Sequence, residues 1–284
     1  MKLVSFRHKK TDGYGVVVGD HVIDLSARLG EGYETLNAFI AKPPKKKVAE
    51  LIAAKAFDHK LSKLRLLPAT PHPGKIICVG LNYEEHKKEG VRDPNDRPML
   101  FARWPETLIA DGDPLIIPKV SDKLDFEAEL LVVIGKQTGR YLAADKALGS
   151  VFGYSCMNEG SVRDWQRHSS QVTAGKNFAG TGAVGPWIVT ADEIPDPQAL
   201  DLELRVNGAV MQQANTRDMI WKVAETIAYI TNWIPLNPGD VIATGTPAGV
   251  GSRRTPPVFL KPGDVVDVTI SSVGALRNPV AAES

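Results

Sequence analysis

The chain has little cysteine: two residues in 284, Cys78 and Cys156. Each lies in an apolar run, IICVG and YSCM, so both read as buried thiols acting as small hydrophobes rather than as a disulfide. No apolar stretch has the length of a membrane span, and the start MKLVSFRHKK has no apolar signal core. The expectation is a cytoplasmic protein with no membrane partner. An excess of either charge is lacking too. Thirty-four basic and 33 acidic residues leave a formal net charge of +1, which removes the electrostatic case for a nucleic-acid partner. There is no internal repeat and no low-complexity tract. What remains is ordinary globular composition, with 43% hydrophobic and 24% charged residues. Twenty-five glycines and 20 prolines, spread along the chain, imply many turns and therefore many strands.

The first segment is expected to form a small unit. KLVSF, GVVVG and HVIDL are short apolar stretches broken by Asp-Gly and Gly-Asp turns, the pattern of a small antiparallel sheet. Helical stretches follow around ETLNAFIA and KKVAELIAAKAF. Lys45, Lys46 and Lys47 open the second of these and read as a solvated helix start. LLPATPHPGK then stiffens the chain, placing a boundary near residue 70. Beyond it, KIICVG, DPLIIP, FEAELLVVIGK, VFGYSCM, GPWIVT, LDLELRVNG, GDVIATG and DVVDVTI read as strands. One long helix is expected near RDMIWKVAETIAYITNW, with Met219, Val223, Ile227 and Ile230 on its apolar face. Regular strand–helix alternation is missing, which argues against a doubly wound nucleotide fold. The expected class is α+β and β-dominated, with a small N-terminal α/β domain over residues 1–70 and a larger domain over 71–284.

In DFEAELLVVIGK, Glu127 and Glu129 stand two apart on a strand and share a face. Side by side against apolar surface they repel and resist desolvation, a penalty that a divalent cation removes. Hard oxygen ligands suit Mg²⁺ or Mn²⁺. Taken alone, the pattern fits a solvated strand edge better. Glu159, in GYSCMNEGSVRDWQ, lies where a carboxylate can reach inward from a strand end. The alternative there is a polar loop with an Arg163–Asp164 surface pair. In VGLNYEEHKKEG, His86 and Glu89 are three apart and meet if the loop makes one helical turn. Such a carboxylate raises the basicity of the imidazole; the alternative is a charged surface turn. GTGAVG at 180–185 matches a dinucleotide fingerprint, but Pro186 and a strand follow it, so that reading is rejected. GTPAGVG at 245–251 follows a strand, and its backbone N–H groups and Thr246 could ring a carboxylate. Lys176 complements an anionic substrate if buried near a metal, and is simply solvated if exposed.

Together and in this order, KIICVGLNYEEH, LDFEAELLVVIGK, GYSCMNEGSVRDWQ, KNF…GP, PGDVIATGTPAGVG and KPGDVVDVTISSVGALRNPV resemble the fumarylacetoacetate hydrolase family. The resemblance runs from about Lys75 to about Val280, and the N-terminal segment looks like the small first domain of bacterial members. It implies a mixed β-roll, a homodimer, and a small 2-oxo carboxylate as substrate. Glu127, Glu129 and Glu159 are the implied metal ligands. His86 and Glu89 match a catalytic pair on a loop that closes over substrate, and Lys176 matches the active-site lysine. Thr246 matches the threonine that contacts the substrate carboxylate. Arg103 stands where many members have a basic residue facing the site, and Gln166 is a further implied substrate contact.

Two departures stand out. Glu159 replaces the usual aspartate, and Asn177-Phe178-Ala179-Gly180 replaces the usual S-F-D-T. The implied reaction is hydrolysis of a C–C bond in an acylpyruvate-type 2,4-dioxo acid through a metal-bound enolate. His86, oriented by Glu89, would activate water, and Lys176 would stabilise the oxyanion. Alternatives are decarboxylation, hydration or isomerisation of a related 2-oxo or 2-hydroxydienoate acid, or a non-catalytic member.

Overall fold

The computed structural model describes residues 1–85 and 97–284. Its centre is strand Ala128–Ile134, buried at every position. It pairs antiparallel with Val151–Glu159 on one side and with Val241–Ala243 on the other. Val241–Ala243 in turn runs parallel to Ile76–Gly80. Being covered on both faces, the strand is a continuous apolar run rather than an alternating one.

The two faces belong to different cores. Ala128, Leu130, Val132 and Ile134 pack with Leu202, Leu204, Val266 and Val268 of a second, five-stranded sheet, and with Ile227 and Ile230 of helix Val223–Thr231. Leu131 and Val133 pack instead with Leu3, Val16, Phe39 and Ile40 of the N-terminal segment. This alternation aims Glu127 and Glu129 along the N-terminal face, beyond the end of that second core.

The expected N-terminal meander is present as Lys2–His8, Thr11–Val18 and His21–Asp24. It is continuous with the large sheet, because Lys2 pairs with Val189 and Leu3 with Ile188 of strand Gly182–Thr190. Helix Leu36–Ala41 starts where the Thr35 hydroxyl accepts from Ala38 N (3.1 Å), and it buries Phe39 and Ile40. Lys45, Lys46 and Lys47 are exposed, as a solvated helix start requires.

The helix expected over 217–233 is shorter in the structure. It spans Val223–Thr231, where Lys222 N donates to Glu225 Oε2 (2.9 Å) and fixes the start. Met219 lies outside it, buried through a bridge to Tyr83. Both cysteines are free and buried. Residues 182–185 of the GTGAVG stretch open the strand Gly182–Thr190, a context without the helix a dinucleotide needs. Among the described residues, no helix is long and apolar enough to cross a membrane.

Candidate active site

Strand register builds the site. Ala128 lies opposite Asn158, and Glu159 N donates to Glu127 O (2.9 Å), so Glu127 and Glu159 face each other across two strands. Glu129 follows two residues along the same face. Carboxylate oxygens of all three lie within 4.8 Å of one another, and all three residues are buried. Like charges placed opposite each other destabilise a sheet, the more so when desolvated.

Three cations partly offset this. Lys176 Nζ donates to Glu127 Oε2 (2.8 Å) and to Glu159 Oε2. Arg163 Nη2 lies 2.7 Å from Glu127 Oε1, while its Nε donates to Asp125 (2.7 Å). Arg103 Nη1 donates to Glu159 Oε1 (2.6 Å). Among the described residues, four carboxylates, those of Asp125, Glu127, Glu129 and Glu159, thus meet three cations, a formal excess of one negative charge. The carboxyl left without a cation among them is Glu129. Among the described residues no basic side chain is within ion-pair distance of Glu129, and Gly245 N donates to it (2.8 Å). Burial, and then the proximity of Glu159 and Glu127, push the Glu129 carboxyl well above the usual carboxylate range. Glu159 is raised by burial too, with Lys176 and Arg103 working against the shift. For Lys176, burial favours the neutral amine, but Glu127 and Glu159 outweigh it and hold the ammonium. An all-oxygen donor set with surplus negative charge fits a divalent cation held by Glu127, Glu129 and Glu159.

The cluster opens into a cavity of about 410 Å³. Glu127, Glu129, Arg163, Gln166, Lys176 and Thr246 are among the residues that line it. Gly245 is needed at the turn before Thr246. Its φ is +96°, and a Cβ there would lie 2.9 Å from Val79 O and 2.6 Å from Asn82 Cβ. Gln212 Nε2 donates to Thr246 Oγ1 (2.8 Å), which leaves the threonine O–H free to donate to a ligand. Gly175 allows close packing at the other wall, since a Cβ there would lie 2.3 Å from Gln166 N. That contact lets Lys176, the last residue of helix Thr173–Lys176, reach Glu127.

Arg103 differs from its expected place. Its side chain is fully buried behind Glu159, bonded also to Thr107 Oγ1 (2.8 Å), Gly160 O (3.2 Å) and Thr181 Oγ1, and it does not line the cavity. Glu159 likewise lies behind the wall rather than in it. The Arg163–Asp164 surface pair is absent. Arg163 turns inward, and Asp164 accepts from Ser121 Oγ (2.7 Å). His86 and Glu89 lie outside the described residues. In the altered segment after Lys176, Asn177 has taken a structural part: its Oδ1 accepts from Trp104 N (2.7 Å), and its Nδ2 donates to Thr173 O (2.9 Å).

Asp125 and Gln212 were not singled out by sequence. Asp125 ends the strand Leu124–Asp125 and accepts from Phe126 N, Gly251 N and Ser252 N as well as from Arg163. Gln212 comes from the second sheet. Its Oε1 accepts from Ala128 N (2.9 Å), between Glu127 and Glu129.

A β-roll with a buried carboxylate triad, two of whose members line one cavity with a lysine, defines an enzyme suited to a divalent metal. The chain belongs to the fumarylacetoacetate hydrolase family: residues 75–281 match the fumarylacetoacetate (FAA) hydrolase C-terminal family. It is an enzyme of that family. It is 37% identical over 288 residues to oxaloacetate tautomerase fahd2, mitochondrial, of Xenopus laevis, covering 99% of this chain and 90% of that protein. Among solved structures, fumarylacetoacetate hydrolase from psychrophilic Exiguobacterium antarcticum is similar at 35% identity and a TM-score of 0.87, with both chains fully covered. Maleylpyruvate hydrolase from Sphingobium sp. SYK-6, in complex with manganese (II) ion and pyruvate, is similar at 30% identity and a TM-score of 0.83, again with full coverage of both.

Proposed function

We propose that this enzyme hydrolyses a C–C bond in a small acylpyruvate-type 2,4-dioxo acid, with Mg²⁺ or Mn²⁺ held by Glu127, Glu129 and Glu159, and that it works as a homodimer. The observation that carries the reading is the buried carboxylate triad, two of whose members, Glu127 and Glu129, line a cavity also lined by Lys176 and Thr246. When bound, the cation supplies Lewis-acid polarisation of the 2-oxo group. The Thr246 hydroxyl donates to the substrate carboxylate. The Lys176 ammonium, kept charged by Glu127 and Glu159, offsets negative charge as it builds on a substrate oxygen. His86, oriented by Glu89, takes a proton from water, and the hydroxide adds to the distal carbonyl carbon. The C–C bond then breaks. Its electron pair stays on the carbon of the pyruvate half, which takes up a proton, so the products are pyruvate and a carboxylic acid.

A second reading is proton transfer alone, an oxo–enol tautomerisation. The identity with the Xenopus oxaloacetate tautomerase over nearly the whole chain favours it. The same floor serves both reactions; they differ in whether water adds. NMR product analysis with a panel of 2-oxo acids separates them. Pyruvate and a second acid, formed in equal amounts from a 2,4-dioxo acid, support hydrolysis. Solvent deuterium entering C3 of the substrate without fragmentation supports tautomerisation.

A further inference from the structure

The surroundings of Glu159 are built to the length of its side chain. Glu159 and Arg103 side chains are both 0% exposed. The two carboxylate oxygens turn to different partners. Oε1 accepts from Arg103 Nη1 (2.6 Å), behind the cavity wall. Oε2 accepts from Lys176 Nζ, the same ammonium that donates to Glu127 Oε2 (2.8 Å). The carboxylate therefore spans from a cation at the rear to the triad in front. Among the described residues, no second carboxylate pairs with Arg103.

Arg103 itself is fixed at every nitrogen. Nε donates to Thr107 Oγ1 (2.8 Å), Nη1 also to Gly160 O (3.2 Å), and Nη2 to Thr181 Oγ1. Each threonine hydroxyl gives its own proton to a backbone carbonyl, Thr107 to Trp104 O (2.7 Å) and Thr181 to Phe178 O (2.7 Å). Their oxygens are thereby left to accept from the guanidinium. Gly182 leaves the space that the guanidinium fills, since a Cβ there would lie 2.6 Å from Arg103 Nε and 3.0 Å from its Cζ. The backbone is anchored as well, because Arg103 N donates to Ile76 O (3.2 Å). A planar fork held at this many points cannot follow a carboxylate that moves.

A pair buried this deeply is favourable only while its geometry is close and its remaining donors are satisfied. Arg103 meets that condition as long as Glu159 reaches it. We propose that Arg103 is a positioning residue for Glu159: it holds Oε1 at the rear so that Oε2 is presented beside Glu127, and the length of glutamate lets one carboxylate meet both demands. Aspartate would set the carboxyl back by about 1.5 Å, one C–C bond. It would then reach Arg103 or a cation at the triad, but not both. Glu159→Asp therefore weakens the metal site of this chain, although aspartate is the usual residue at this position. This inference rests on the reading of Glu127, Glu129 and Glu159 as the ligands of a divalent cation.

The test is calorimetric titration with Mn²⁺ of the full chain, of Arg103→Lys, of Glu159→Asp and of the two substitutions combined, each shown to be folded by circular dichroism. Each single substitution is expected to weaken binding about tenfold or more, the effect of disturbing a group that orients a metal ligand. Both break the same link. The double variant should therefore bind about as weakly as the weaker single variant, and not show the product of the two losses. Thr107→Val removes one acceptor of Arg103 and leaves Glu159 intact. It serves where Arg103→Lys does not fold, and it too should bind Mn²⁺ more weakly than the parent; unchanged affinity there overturns the role of Arg103. A merely structural role would lower the melting temperatures in EDTA and leave Mn²⁺ affinity within about twofold of the parent, which also overturns the proposal. So does a Glu159→Asp variant that binds as tightly as the parent, or losses that multiply in the double variant. Absence of Mn²⁺ binding by the parent overturns the metal reading and this inference with it.

Discussion

Asp125 and Arg163 meet at 2.7 Å with the carboxylate wholly buried, although 38 residues separate them in sequence. The pair links the strand that leads into Glu127, the helix that carries Gln166, and the turn at Gly251. Asp125→Ala would leave Arg163 with Glu127 and Gln166 Oε1 and two turn N–H groups without an acceptor. A loss of about 3–5 kcal/mol in unfolding free energy is expected, the range for removing one partner of a buried pair. Urea denaturation measures it. Asp125→Asn keeps an acceptor for one donor and should lose less; equal stability of Asp125→Ala and the parent would refute the pairing.

Burial, and then Glu159 and Glu127, favour the neutral form of Glu129, so Glu129→Gln should separate stability from metal binding. The neutral amide stands in for that form, and Gly245 N keeps an oxygen to donate to. In EDTA the variant is expected to melt at or above the parent temperature. Added Mn²⁺ should raise the melting temperature of the parent, since saturation at about 100 times Kd is worth about 2.7 kcal/mol. The variant should show little of that rise. A variant that melts well below the parent in EDTA would contradict the charge accounting.

Much of this site is legible from strand periodicity. Glu127 and Glu129 share a face because side chains alternate, and Leu131 and Val133 continue it as core. Glu159 is placed by its position at the end of an apolar strand. Arg163 is not legible in this way. Its neighbour Asp164 offers an obvious surface partner, and only the pairing of Leu124–Asp125 with Ser161–Val162 brings Asp125 to it instead. Gln212 is hidden for a related reason. Strand Ala209–Asn215 is irregular in burial, with Gln212 alone of its residues buried, and its approach to Thr246 depends on how two sheets pack. The helix expected over 217–233 exceeds the one formed because Met219 keeps the helical spacing while being buried by a β-bridge.

Gly175 gives a steric prediction. An added Cβ would lie 2.3–2.6 Å from Gln166 N, Cα and Cβ, a collision with backbone that no rotamer relieves. Gly175→Ala should therefore separate helix Thr173–Lys176 from Arg163–Gln166 and draw Lys176 away from Glu127. A loss of about 1–3 kcal/mol in stability is expected from such overpacking, together with a fall in kcat. Gly149→Ala is the control, because a Cβ there meets nothing within 4 Å.

Thr246 sharpens the difference between binding and turnover. Its oxygen accepts from Gln212 Nε2, which in turn is tied to Pro247 O (2.8 Å) and, through Oε1, to Ala128 N. The hydroxyl thus keeps its proton free to donate into the cavity that Thr246 lines. Thr246→Val keeps the shape and removes that donor. If the hydroxyl holds the substrate carboxylate equally in ground and transition states, KM rises about tenfold or more, as for a lost hydrogen bond to a charged group, and kcat barely changes. Gln212→Leu also frees the Thr246 side chain to rotate, but leaves its hydroxyl in place, so its KM should lie between those of the parent and Thr246→Val. Steady-state kinetics on any turned-over 2-oxo acid decides the matter. A fall in kcat at unchanged KM would instead place Thr246 among the groups that act only in the transition state.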